Sequence, residues 1–189
     1  MESKLYQYRG WILGLFAVLL LVLPPTTSFF SLSAILLIFS GILIRIEARR
    51  SIGEHSRGHS LSADALVKTG IYAYLRHPLY LSNIMIGCGF ILIHLSWTST
   101  SFILATALIL FFYNLSVQED RFLLNQFGES WLAWKDKTNA FLPKKPDTKP
   151  IQSNKRSIQK AFFADRSTWG WLLFFSLLLI LRRYIGDMI

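Results

Sequence analysis

GWILGLFAVLLLVLPPTTSFFSLSAILLIFSGILI, residues 10–44, contains no Asp, Glu, Lys or Arg. A continuous helix of that length would reach roughly 52 Å at 1.5 Å per residue. A bilayer core is only about 30 Å thick, so a single crossing cannot use the whole stretch. Pro24-Pro25, followed by Thr26, Thr27 and Ser28, falls where a turn is needed, because proline removes an amide donor that a helix interior requires. The stretch predicts a helical hairpin with arms over about 6–23 and 29–47. Tyr6, Tyr8 and Arg9 extend the short first arm into the interface, apolar stems inward and polar tips outward. Lys4 and Arg9 ahead of an apolar run imitate the start of a signal peptide. No A-x-A-type cleavage site follows, and a second apolar run comes at once, so the first arm reads as a retained span.

The same pattern recurs outward from this hairpin. Leu79 to Gln118 carries no formal charge and would reach roughly 60 Å as one helix, which again asks for two crossings. The hydroxyl-rich Leu95–Ser101 segment, with Trp97 suited to the headgroup layer, marks the turn between arms over 79–95 and 101–118. Between the hairpins, Arg45 to Arg76 is polar and basic, fit for loops and interfacial helices. Residues 119–139 alternate Phe122, Leu123, Phe127, Trp131, Leu132 and Trp134 with polar side chains, which predicts an interfacial amphipathic helix. Pro143, Pro146 and Pro150 among lysines predict a linker. Ser167 to Leu181 is uncharged but short; with Phe162, Phe163 and Tyr184 at its flanks it reads as a further span, against a surface-lying helix as the alternative.

Charge sets the orientation. The chain has 20 Lys and Arg against 11 Asp and Glu, a net charge of +9, and only 16% charged residues overall, where a soluble domain has about a quarter. The turns near Pro24 and Ser99 lack Lys and Arg, whereas the segments around Arg9, Arg45–Arg76 and Arg121–Arg166 are basic. The positive-inside rule places those basic segments in the cytoplasm. Arg182 and Arg183 fit that scheme less well if the last helix spans. Nothing resembles a nucleic-acid module, and no protein partner is inferable. The lone cysteine, Cys88, reads as a packed hydrophobe. His55 and His59 lack a third ligand, so no metal site is expected.

Two stretches carry groups with chemistry. Residues 66–80, LVKTGIYAYLRHPLY, bring Arg76, His77 and tyrosines to the start of an apolar helix. Pro78 suits the first turn of that helix, whose free N–H groups favour a carboxylate. The alternative is a set of interfacial anchors. The second stretch holds Asn114, Gln118, Glu119 and Asp120. Asn114 and Gln118 share a helix face, four residues apart. Glu119 closes the uncharged run and needs a partner or a polar cavity; an ordinary pairing with Arg121 or Lys is the alternative.

Leu66-Val67, Gly70, Tyr72, Arg76-His77-Pro78 and Tyr80, followed by Glu119-Asp120 and Phe127-Gly128-x-x-Trp131-x-x-Trp134, ending near Leu142-Pro143, resemble the isoprenylcysteine carboxyl methyltransferase family, to which phospholipid N-methyltransferases are related. The resemblance covers about residues 60–143. The apolar runs predict an all-α integral membrane bundle of about five transmembrane helices, and the resemblance implies an integral methyltransferase with an interfacial region that binds S-adenosylmethionine and opens to the cytoplasm. It assigns the cofactor to Ala65, Leu66, Val67, Tyr72, His77, Pro78, Leu79, Tyr80 and Glu119, and leaves Arg76, Asn114 and Gln118 as substrate-side candidates. It implies a lipophilic or lipid acceptor and in-line displacement at the sulfonium methyl, in which alignment and a dry pocket supply most of the catalysis. The chain departs from the family where an arginine would meet a substrate carboxylate, since Leu115 stands there, and Trp131 and Trp134 replace tyrosines. The expected organisation is a hairpin over 1–50, a methyltransferase core over 51–143, a linker over 144–165 and a final helix over 166–189. An NADPH-dependent membrane reductase related to the sterol reductases and a non-catalytic membrane scaffold are the competing readings.

Overall fold

The computed structural model describes residues 4–26, 31–52, 65–146 and 156–186. They form an all-α bundle: α1 (Lys4–Gln7), α2 (Arg9–Val22), α3 (Leu32–Ile52), α4 (Pro78–Leu95), α5 (Ser99–Phe127), α6 (Glu129–Lys135), α7 (Ile158–Ala164) and α8 (Arg166–Gly186). A 3-10 turn, Gly70–Ala73, leads into α4. No strand forms among the described residues; a single parallel bridge joins Leu75 to Asn139. Among the described residues three helices are long and apolar enough to cross a membrane: α4, α5 and Arg166–Ile185 of α8. The sequence reading expected about five. The apolar α2 has only 14 residues, because Pro24-Pro25 follows it. The 21-residue α3 carries Arg45, Glu47, Arg49 and Arg50 in its last two turns.

The α3–α4 pair is the centre of the bundle, and small residues let it close. Ala34, Gly41 and Ala48 recur every seven residues on α3 and are buried; Ser82 and Gly89 do the same on α4. A Cβ added at Gly41 would stand 2.8 Å from Ile86 Cγ1 and 3.0 Å from Ser82 O, and one added at Gly89 would stand 2.9 Å from Ala34 O. Without a hydrophobic drive between helices in lipid, close backbone approach of this kind supplies the packing. Around the pair lies an apolar core that includes Phe90, Leu108, Phe112 and Leu115, joined by Leu20 from α2 and Leu179 from α8.

The two ends of the bundle differ. At the end opposite the basic loops the segment after α2 meets the end of α4: Thr26 N–H donates to His94 O at 2.9 Å, and His94 Nε2 pairs with Leu23 O at 2.9 Å. Arg182 Nε donates to Leu21 O at 3.1 Å, and Arg183 donates to Thr26 O. These two arginines satisfy carbonyls at and beyond the C-terminus of α2, groups that helix geometry leaves without partners. That is the physical account of the charge pair that fitted poorly with topology. At the basic end, Asp165 lies between α7 and α8 and accepts from Arg45 Nε at 2.5 Å and Arg49 Nη2 at 2.7 Å. Arg45 also donates to Asn83 at 2.7 Å and Thr168 at 3.0 Å. The last helix thus runs from one end of the bundle to the other.

Two boundaries differ from the sequence reading. The break expected at residue 118 does not occur; α5 continues to Phe127, because no breaker intervenes until Gly128. There the backbone turns at φ +49, a conformation glycine adopts without steric penalty, and α6 begins. Residues 158–164, within the expected linker, form α7, which packs its buried Ala161 against α3. His55 and His59 lie outside the described residues.

Candidate active site at the basic end of the bundle

The entry to α4 is held from outside by the chain that follows α6. Arg76 N–H donates to Asn139 O at 2.8 Å and His77 N–H to Ala140 O at 3.0 Å. Trp134 Nε1 donates to Tyr72 O at 3.0 Å, and Lys68 Nζ donates to Ser130 O at 3.0 Å and pairs with Ser130 Oγ at 2.6 Å. These contacts tie residues 68–77 to α6 and its exit. His77 has φ −120 and ψ 57, outside the helix, because the following Pro78 disfavours helical geometry there. Its side chain caps nothing, so the imidazole is free to face the interior.

His77 is buried, 4% exposed, under Tyr80, whose ring stacks on it at 5.6 Å, with Phe141 at 5.9 Å on another side. Its Nε2 lies 3.0 Å from Asp120 Oδ1. An ionised carboxylate only accepts, so Nε2 carries the proton. Nδ1 then faces Glu119 Oε2 at 4.0 Å, too far for a direct hydrogen bond and close enough for one polar group beside the pair to bond to both. The side chain of Glu119 is 33% exposed. The Tyr80 hydroxyl interacts with the same carboxylate. Burial first, and the nearby Glu119 charge second, push the Tyr72 phenol well above its ordinary range, so Tyr72 is a neutral donor at physiological pH.

An apolar shelf adjoins these groups. Leu66, Val67, Ile71 and Leu79 pack with Tyr72, Trp131 and Trp134. Trp131 Nε1 is buried there without a hydrogen-bond partner among the described residues. Ala65 is exposed at the edge and Pro78 is buried at the start of α4. Most of the sequence-selected set therefore converges on one end of the bundle, and residues 77 and 119 share it.

The substrate-side candidates divide. Arg76 is held by the fold through both terminal nitrogens, while its Nε is buried without a partner among the described residues: the guanidinium donates to Thr138 O, to Lys135 O at 3.4 Å and to Asp120 Oδ2 at 3.2 Å. Asn114 is exposed, and its Nδ2 donates to Leu110 O of its own helix at 2.8 Å, so it stays apart from the site. Gln118 is half-buried. Leu115 is 1% exposed inside the apolar core, which rules out a polar role. Sequence reasoning noted Asp120 but gave it no part. The geometry makes it the group that orients both Arg76 and His77. The available signal was the pairing of two adjacent polar residues at each end, 76–77 with 119–120.

A basic-ended helical bundle with buried polar groups gathered beside helices long and apolar enough to cross a bilayer is the architecture of a membrane protein. A family profile described as phospholipid methyltransferase matches residues 29–130, more than half of the chain, and the chain belongs to that family, which includes the isoprenylcysteine carboxyl methyltransferases. The matched span runs from the start of α3 into α6 and contains His77, Glu119 and Asp120. No curated protein and no solved structure matches the chain.

Proposed function

We propose that this chain is an integral membrane methyltransferase that takes its methyl group from S-adenosylmethionine and acts on a lipophilic acceptor, in the manner of the isoprenylcysteine carboxyl methyltransferases. The observation that carries the reading is the convergence of His77, Tyr80 and Glu119, with Nδ1 and Oε2 4.0 Å apart. The residues present suit the cofactor's chemistry. A partly exposed carboxylate accepts from hydroxyl or ammonium groups. Two neutral phenols and the orphaned indole N–H of Trp131 donate. The shelf of Leu66, Val67 and Leu79 covers an apolar face, and Ala65 and Pro78 border it. The bound cofactor supplies an electrophilic methyl group.

The chain's own part is alignment and exclusion of water. Asp120 holds the imidazole of His77 in one orientation, and Tyr80 and Phe141 shut its faces from solvent. Correct placement alone is worth about 7–11 kcal/mol of barrier. The basic end, with Arg9, Arg49 and Arg76, faces the cytoplasm under the positive-inside rule, so the cofactor site opens to the cytoplasm and the apolar helices cross the bilayer more than once.

The test is titration of the purified full-length protein with S-adenosylmethionine. Wild type binds; His77→Ala and Glu119→Ala lose binding by at least about tenfold each, the size of one charge-assisted hydrogen bond. Undiminished affinity in both variants removes the assignment of the pocket.

A further inference from the structure

After α6 the chain turns back and runs across the entry to α4 as a strap, residues 139–145. Arg76 N–H donates to Asn139 O at 2.8 Å, His77 N–H to Ala140 O at 3.0 Å, and Lys144 N–H to Tyr74 O at 2.9 Å. Leu75 and Asn139 form the parallel bridge between the two segments. The near end of the strap is pinned to α6, where the hydroxyl of buried Thr138 donates to Trp134 O at 2.7 Å. On its inner side Phe141 lies against the imidazole of His77, ring centroids 5.9 Å apart. The strap is therefore one wall of the candidate site, and what holds it down also closes that wall.

The outer side of the strap is basic and apolar at once. Leu142 is 74% exposed, and Tyr74, bonded to the strap at Lys144, is 39% exposed. Lys135, Lys137, Lys144 and Lys145 are exposed around them, and Asp136 is the only acid between residues 135 and 146. Lys144 Nζ gives one donor to Asp136 O at 3.0 Å, which folds the strap back on the end of α6. The depth of this patch follows from what it is bonded to. Residues 74–77 immediately precede Pro78, the first residue of a helix long and apolar enough to cross a membrane. A segment tied to them stands where that helix leaves the bilayer, the layer that accommodates tyrosine rings and lysine stems with their polar tips outward. Exposed Leu142 among lysines suits that layer better than water. A leaflet of anionic lipid attracts lysines held within a Debye length of its surface.

We propose that the strap docks on a leaflet of anionic lipid through Leu142, Lys144 and Lys145, and that this contact holds Phe141 against His77 and so closes the candidate site. The lipid acts here as a surface and is not the methyl acceptor. The strap lies beyond the segment that the family profile matches, residues 29–130, so the docking surface belongs to the chain that follows the family core. The docking stands on the patch and its depth. Its effect on cofactor affinity rests on the methyltransferase reading.

The test places the full-length protein in nanodiscs of phosphatidylcholine alone or of phosphatidylcholine mixed with phosphatidylserine. Amide hydrogen exchange is followed at Arg76, His77 and Lys144, whose N–H groups make the bonds of the strap. In the anionic discs these amides exchange about tenfold more slowly, the size expected for one or two lysines at a charged surface, while amides in the middle of α3 and α4 keep their rates. Lys144→Gln combined with Lys145→Gln removes the difference, and the paired arginine substitutions at both positions keep it. Raised salt erases it, because exposed charges are screened. S-adenosylmethionine titrated into the same discs binds wild type several-fold more tightly where the lipid is anionic, and Phe141→Ala loses that dependence. Equal exchange in the two discs overturns the docking, as does a difference that survives the glutamine pair. Inorganic phosphate that slows the three amides in neutral discs at matched ionic strength also overturns it, since a soluble anion then suffices. Lipid-dependent exchange with one cofactor affinity in both discs overturns the closure of the site. Lipid-dependent exchange in a wild type that binds no S-adenosylmethionine overturns the methyltransferase reading and leaves the docking standing.

Discussion

Two clusters of arginines and carboxylates sit at the basic end of the bundle, built from the same chemistry and put to opposite uses. Arg45, Arg49 and Asp165 close on one another. The Asp165 side chain is 3% exposed, both its oxygens are taken, and Asn83 and Thr168 take further donors of Arg45. The second cluster, Arg76, His77, Glu119 and Asp120, is closed on one side only. Asp120 is shared between Arg76 and His77, while Glu119 stands 4.0 Å from the imidazole with a third of its side chain exposed. A cluster whose acid is taken on both oxygens fastens helices, even with Arg49 Nε left without a partner among the described residues. A cluster with one carboxylate left over can receive a ligand. The difference lies in whether the last partner comes from the chain itself.

The largest expected effect breaks the first cluster. Asp165→Ala leaves two arginines without their acid, and losing one partner of a buried ion pair costs about 3–5 kcal/mol. Thermal unfolding in detergent should show a large drop, together with release of α7 and α8 from α3 in hydrogen exchange. A melting temperature near wild type would mean that this node does not fasten the last helix. Next, Asp120→Asn keeps the shape but offers an amide in place of a two-sided acceptor to Arg76 and His77. We expect cofactor affinity to fall about tenfold, in keeping with a charged hydrogen bond of about 1.5–3 kcal/mol, with a smaller loss of stability than Asp165→Ala. Equal losses of stability in the two variants would erase the contrast between the clusters. The smallest effect belongs to Asn114→Ala. Its amide bonds only to its own helix and is exposed, so stability should stay within about 0.5 kcal/mol and cofactor binding should not change. A tenfold loss of methyl transfer there would return Asn114 to the substrate side.

Much of the fold was legible before any coordinates. The uncharged runs over 10–44 and 79–118 are long because apolar helices need them, and their turns fall where Pro24-Pro25 and Ser96–Thr98 interrupt. The end of the apolar arm expected over 101–118 was less legible. Hydropathy drops at Glu119, yet α5 continues to Phe127, since a charged residue changes a helix's surroundings without ending it, whereas Gly128 ends it. Of the site, Arg76-His77-Pro78 and Glu119 stood out as polar groups at the mouths of apolar helices. The roles among them did not. Arg76 was open to a substrate role, and its terminal nitrogens meet Asp120 and the carbonyls of Lys135 and Thr138.

By itself the sequence determined that the chain is helical, rich in apolar segments and asymmetric in charge, and that its candidate site residues stand at helix mouths. Those properties are local: they depend on composition and spacing within one helix length. Only the tertiary structure decided that His77 meets Asp120 across 43 positions, that Asp165 reaches back 120 positions to Arg45, and that Arg182 and Arg183 satisfy the end of α2. Such pairings follow from which helix faces touch, and those faces are set by the Ala34–Gly41–Ala48 and Ser82–Gly89 contact of α3 with α4. A side chain's partner is a property of that packing, since the same arginine can anchor, fasten or bind depending on what the neighbouring helix presents.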